Sequence, residues 1–381
     1  MTTGSDDSSR APRASRRAPR APRRTTRDRA RGGRSALAGG IGRPAAIGLI
    51  AGLATITVVV GWRDVGAIAA ALAAVGGGFL VLPLAFLPSL VLASEGWRIL
   101  FARDRRPRFL TALRAMWVGR SAVTFLPLTS IGADAIRARV IAQSGAAGAD
   151  AAASIVLAQT AQALALALWA LVGAAGVLAI GGDDAIAFGA AALALLLAVG
   201  VAGYVVVQHR GVFGLGVRLL GRIAPWIGDH KRAGWRQGGD DADRAVRALY
   251  RDPGRLLWSV LLDLASNLAL TVEVWLIALW IGAPIGVVEA LALKALTGAV
   301  RGAVFVVPGG LGIQEASFVL LAAQAGLTPE LALAISLAGR GRELLVALPG
   351  MIHWQRLEGR ALARRRGTTS RTSPATAPGE R

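Results

Sequence analysis

The chain predicts an all-α polytopic membrane protein with about six full spans and two broken or re-entrant helical hairpins related as an inverted repeat. Three observations carry this. Residues 44 to 62, 65 to 94, 151 to 182 and 185 to 208 contain no Asp, Glu, Lys or Arg, and ~20 apolar residues in a helix cross the ~30 Å of bilayer hydrocarbon. The 381 residues are 54% hydrophobic and only 17% charged, against ~45–50% and ~25% in a soluble domain. Two stretches that break a simple up-and-down count, 109 to 148 and 285 to 327, share special residues at a constant offset.

The elements follow in order. Residues 1 to 43 hold twelve arginines among Ala, Pro, Ser and Gly; such a segment cannot bury a core and is expected to be a disordered cytoplasmic tail. The membrane domain is expected over 44 to 356, with full spans at 44 to 62, 66 to 94, 151 to 180, 185 to 207, 256 to 281 and 329 to 353. A basic cytoplasmic loop is expected over 208 to 255 and a basic disordered tail over 357 to 381. Arginine-rich connections at 1 to 43, 95 to 114, 208 to 255 and 354 to 381 alternate with arginine-poor ones near Arg63-Asp64, Asp183-Asp184 and Gly282 to Glu289. The positive-inside rule then places both termini in the cytoplasm. Trp62, Trp97, Trp258, Trp280 and Trp354 fall near span ends, as an interfacial belt requires.

On this topology the two remaining stretches must each begin and end on one side, which makes them hairpins, about 109 to 148 and 289 to 327. Arg120, Pro127, Asp134-Ala135 and Gly145 in the first match Arg301, Pro308, Glu315-Ala316 and Gly326 in the second, each pair 181 residues apart. Ser154 and Ser336 on the following helices match with a one-residue slip. Three crossings separate the copies, so the second is upside down relative to the first, a construction common in secondary transporters. Pro127, and Pro308 with Gly309, Gly310 and Gly312, are expected to end one half-helix and open another. An opened helix N-terminus offers unpaired N–H groups to phosphate or carboxylate.

Charges inside apolar helices cost ~2.5–3.5 kcal/mol each on insertion scales and need a reason. Lys294 and Arg301 lie seven apart on one helical face; Arg114 and Arg120 hold the related places in the first copy. Asp263, Asn267 and Thr271 form a polar stripe, with Glu273 about 80° away, and Ser336, Arg340 and Glu343 another, with Arg342 beside it. Asp134 and Glu315 are candidates for proton-titrating or cation-binding groups. Their structural alternative is neutralisation of Arg137 and Arg120, or of Arg301 and Arg340. Cysteine is absent, and His209, His230 and His353 are too dispersed for a local metal motif. No cofactor is expected, nor a nucleic-acid partner, since nearly all the basic charge is arginine in tails and loops. No Gly-x-x-x-x-Gly-Lys motif is present, so ATP hydrolysis by this chain is not expected.

The segment Val307-Pro308-Gly309-Gly310-Leu311-Gly312-Ile313-Gln314-Glu315-Ala316, followed by Gly326 and an arginine-bearing last helix, resembles the membrane domain of lysylphosphatidylglycerol synthases, a flippase-like family. Residues 126 to 139 resemble its first signature, especially in the hopanoid-associated branch. The resemblance implies movement of a lipid between leaflets of a bacterial cytoplasmic membrane. It puts Arg120, Asp134, Arg137, Pro308, Gly309, Gly310, Gly312, Glu315 and Arg340 at motif positions. Family members often carry a charge where this chain has Gln159-Thr160. The chain ends about 25 residues past its last expected helix, so a soluble aminoacyl-transfer domain, and aminoacylation, are not expected.

The leading expectation is therefore a lipid flippase or transporter, not an enzyme. Its substrate would be a lipid with an anionic or polar headgroup, bound by Arg120, Asp134, Arg137, Asp263, Asn267, Lys294, Arg301, Pro308, Gly309, Gly310, Gly312, Glu315, Arg340 and Glu343. The alternatives are a non-transporting partner of an envelope-lipid synthesis system and an intramembrane lipid-modifying enzyme using Asp263, Glu273 or Glu315 as acid or base. Oligomerisation stays open.

Overall fold

Every apolar run that falls on the described residues folds as helix, and among those residues there is no strand. A computed structural model describes residues 65–125, 130–211, 214–216, 229–283, 285–303 and 313–371. The tail 1–43, the run 44–62, Pro127, Pro308, Gly309, Gly310, Gly312 and residues 372–381 lie outside the described residues.

The run from 65 to 94 is two helices, α1 (Val65–Val75) and α2 (Gly78–Arg98), where the sequence predicts one. Three consecutive glycines, Gly76 to Gly78, separate them, each ~1 kcal/mol poorer than alanine in a helix. The first hairpin stretch folds as α3 (Phe109–Phe125) and α4 (Ser130–Gln143), followed by the long α5 (Gly148–Ala179) and by α6 (Asp184–His209). The Asp183 side chain opens α6 by accepting from the Ala185 amide at 2.8 Å, a cap worth ~1 kcal/mol. The connection after α6 was expected as a loop but contains α7 (Asp229–Tyr250). Its Ala242 and Val246 are buried, and it packs on α5. Next come α8 (Pro253–Trp280), α9 (Val287–Ala303) and α10 (Ile313–Leu321) with a 3-10 turn at Ala322–Ala325, then α11 (Pro329–Arg371).

The last helix outruns its expected end at 353, because Gln355 to Arg366 contains mostly strong helix formers and no proline. Glu358 accepts from Arg139 of α4 at 2.5 and 2.7 Å and fastens this extension to the first hairpin.

Among the described residues, α2, α5, α6 and α8 are long and apolar enough to cross a membrane. Their outer faces leave Leu84, Phe188, Leu195, Leu196, Leu257 and Leu268 exposed, the surface expected of a protein whose solvent is hydrocarbon. The chain is an integral membrane protein.

Packing follows a reciprocal scheme. Helices α2 and α8, which precede the two hairpin stretches, pack on each other, and Ser89 and Ser266 join them through their hydroxyls at 2.8 Å. The first arm of each hairpin packs on the long helix that follows the other: α3 lies on α11, and α9 on α5. Small residues allow the second approach. A Cβ added to Gly173 would come within 2.9 Å of the Leu296 side chain, and one at Gly176 within 3.0 Å of the Ala292 Cβ, the close-packed small-residue interface that substitutes for a hydrophobic driving force in lipid. Gly145 after α4 and Gly326 after the 3-10 turn both take positive φ, 99° and 66°, a conformation costing other residues ~1–2 kcal/mol.

A buried polar chain ties α5, α6 and α7 together. The Tyr250 hydroxyl donates to Gln208 Oε1 at 2.7 Å, and Gln208 Nε2 donates to Thr160 Oγ1 at 2.8 Å.

Candidate functional site

The charged side chains that membrane helices ought to avoid converge between the two hairpins. In the first, α4 places Asp134 and Arg137 three residues apart, so both fall on one face. They form an ion pair, with Asp134 8% and Arg137 6% exposed. Gln159 of α5 donates its amide to the second Asp134 oxygen. The Arg137 stem crosses α3 where Gly119 leaves room, since a Cβ there would meet the Arg137 Cγ at 2.5 Å. Its guanidinium lies 5.3 Å from the Trp97 ring centroid.

In the second hairpin the pairing runs between helices. Glu315 of α10, 1% exposed, accepts from Arg340 Nε of α11 at 2.9 Å. Glu343 accepts from Arg340 Nη1 at 3.0 Å and from Arg301 Nη1 of α9 at 3.4 Å, and Arg301 Nη1 also donates to Gln314 Oε1 at 2.8 Å. Gln314 Nε2 reaches the Ser336 hydroxyl at 3.4 Å. One chain of bonds thus links α9, α10 and α11.

A third pair joins α8 to α11. Arg342 Nε donates to Glu273 Oε1 at 2.8 Å, and the Arg342 guanidinium lies 4.3 Å from the Phe86 ring centroid. Glu273 Oε2 is buried with no hydrogen-bond partner among the described residues. A lone carboxylate oxygen is costly in low dielectric, so it is a place for a donor to arrive.

The structure therefore brings Asp134 with Arg137, and Arg301, Glu315, Arg340 and Glu343 with one another. Arg120, Asp263 and Lys294 differ from these. Among the described residues none of the three side chains makes a hydrogen bond or ion pair, although each lies within Coulombic reach of the cluster: Arg120 of Asp263, Arg137, Arg301 and Arg342, and Lys294 of Glu273, Glu343, Arg301 and Arg342. The Asn267 carbonyl accepts from Thr271 at 3.3 Å within α8, and among the described residues no bond holds its side-chain amide. The residues that the predicted binding set omitted are Gln159, Glu273, Gln314 and Arg342. A charge in an apolar helix is itself the signal for Glu273 and Arg342; Gln159 and Gln314 have no comparable one.

Chemically, the cluster combines fixed cations with carboxylates of which all but Asp263 are engaged by arginine, an arrangement able to hold an oxyanion. No group of three or more His, Asp or Glu among the described residues is arranged to hold a metal ion. The family model described as lysylphosphatidylglycerol synthase TM region matches residues 49–350. No curated protein and no solved structure matches the chain.

Proposed function

The chain belongs to the lysylphosphatidylglycerol synthase TM region family, and from that premise we propose that it moves a lipid with an anionic or polar headgroup between the leaflets of a bacterial cytoplasmic membrane, both termini facing the cytoplasm. The headgroup passes through the charged centre between two inverted halves while the hydrocarbon tail stays in the bilayer. One observation carries the reading: Arg120, Arg137, Lys294, Arg301, Arg340 and Arg342 gather inside helices whose outer faces are aliphatic. A phosphate in bare hydrocarbon faces a prohibitive desolvation cost, and preset cations lower it without reorganising.

Two further features support an inverted repeat. Arg120 and Arg301 sit on matched elements, as do Asp134 and Glu315, and each first arm packs on the long helix of the other half. Rocking of one half against the other would then expose the centre to alternate sides. On this reading the chain transports and catalyses no covalent step.

The test is exchange of headgroup-labelled anionic lipid by the purified protein in liposomes, comparing wild type with Arg301→Ala and Glu315→Gln. Exchange that falls at least tenfold in both variants supports the reading. Absence of exchange across a panel of lipids, from protein shown to be folded, overturns it.

A further inference from the structure

The two halves differ at one position, and the difference points to where the anion sits. In the second half Arg301 is satisfied by Gln314 and Glu343. The 181-residue offset places Ala133 at the Gln314 position, and the one-residue slip that aligns Ser154 with Ser336 places Ala161 at the Glu343 position. Both alanines are buried, at 8% and 0% exposure. Arg120, the counterpart of Arg301, has therefore lost both acceptors its twin uses. Among the described residues its one directed contact is the Phe86 ring, 5.6 Å from guanidinium to centroid. Asp263 acts on it through space only. The nearby carboxylates Asp134, Glu343 and Glu273 do not relieve it, because Arg137, Arg301 and Arg342 already hold them.

Among the described residues the cluster has one more cationic than carboxylate side chain. Against Arg120, Arg137, Lys294, Arg301, Arg340 and Arg342 stand Asp134, Asp263, Glu273, Glu315 and Glu343. An unpaired guanidinium is costly inside a membrane protein, and a single monovalent oxyanion would restore the balance.

We infer that Arg120 is the seat of a monovalent oxyanion, the ligand's phosphodiester taking for Arg120 the place that the Glu343 carboxylate takes for Arg301. The inference rests on the translocation reading and names its headgroup chemistry: a lipid with one phosphodiester and no other net charge, such as a phosphatidylglycerol. Inorganic phosphate shares the chemistry and serves as the competing source.

The experiment uses the full chain in phosphatidylcholine nanodiscs, titrated with short-chain phosphatidylglycerol and separately with inorganic phosphate. Wild type, R120Q and R120K are followed by binding and by the shift in thermal unfolding. The expected result is saturable phosphatidylglycerol binding and a raised unfolding midpoint in wild type, at least tenfold weaker binding in R120Q, and binding within about threefold of wild type in R120K. Inorganic phosphate that competes in wild type and loses its effect in R120Q supports an oxyanion seat. Phosphatidylglycerol binding of wild-type strength in R120Q overturns it, as does a wild type neither bound nor stabilised by either anion. Arg120-dependent binding without exchange in liposomes would remove the translocation reading and keep the seat; exchange unaffected by R120Q would do the reverse.

Discussion

The pair formed by Glu273 and Arg342 gives a sharp energetic test. Both side chains are nearly sealed, 3% and 7% exposed, with Nε and Oε1 2.8 Å apart. Truncation by Glu273→Ala leaves Arg342 buried without its carboxylate, and leaves Lys294 without one of the carboxylates in its reach. Breaking a buried pair from one side costs ~3–5 kcal/mol. The Phe86 face at 4.3 Å offsets up to ~2 kcal/mol of this when desolvated, so a net loss of about 1–5 kcal/mol is expected. Replacing both partners by apolar residues of similar volume, Glu273→Leu with Arg342→Met, removes the stranded charge and should recover most of that loss. The assay is equilibrium unfolding by SDS in mixed micelles, followed by circular dichroism. A loss below about 1 kcal/mol in E273A, or a double variant no more stable than E273A, would refute a desolvated pair.

The same unfolding assay checks four smaller expectations. Gly176→Val drives a side chain into Ala292, whose Cβ lies 3.0 Å from the added Cβ, and should cost about 1–3 kcal/mol; Gly189→Val on α6, with nothing within 4 Å, serves as its near-neutral control. Tyr250→Phe strips the donor from Gln208 Oε1 and should cost about 1–3 kcal/mol, with faster amide exchange confined to α7. Gly145→Ala and Gly326→Ala should each cost about 1–2 kcal/mol through the positive φ, and equal losses would fit their equivalent places. Arg105→Ala removes an exposed pair with Asp150, 3.2 Å at its closest, and should leave the unfolding midpoint indistinguishable from wild type.

Hydropathy made the long apolar helices legible, while the breaks expected at Pro127 and from Pro308 to Gly312 lie outside the described residues. The sequence also makes Asp134 and Arg137 readable as a pair, because three residues along a helix bring side chains together whatever else happens. The partners on α11 were less readable: Arg340 and Arg301 both stood open for Glu315, and Glu273 had no named partner. The partners they meet lie 25 and 69 residues away on α11, and helix packing alone decides which of Arg340 and Arg342 each one meets. Helix α7 was hidden for a different reason: its charges dominate a residue count and mask the i, i+4, i+8 stripe of Ala242, Val246 and Tyr250. The run of three glycines before α2 was visible, yet an uninterrupted apolar run outweighed it.

Gln159 and Thr160 are neighbours on α5, and adjacent residues on a helix point about 100° apart. Gln159 holds the carboxylate of the first hairpin; Thr160 holds, through Gln208, the tyrosine that ends α7. The long helix thus works like a camshaft with two lobes one residue apart. Any turn of α5 about its own axis pulls on the charged centre and on α7 in the same stroke, so neither can be displaced in isolation while both sets of bonds persist.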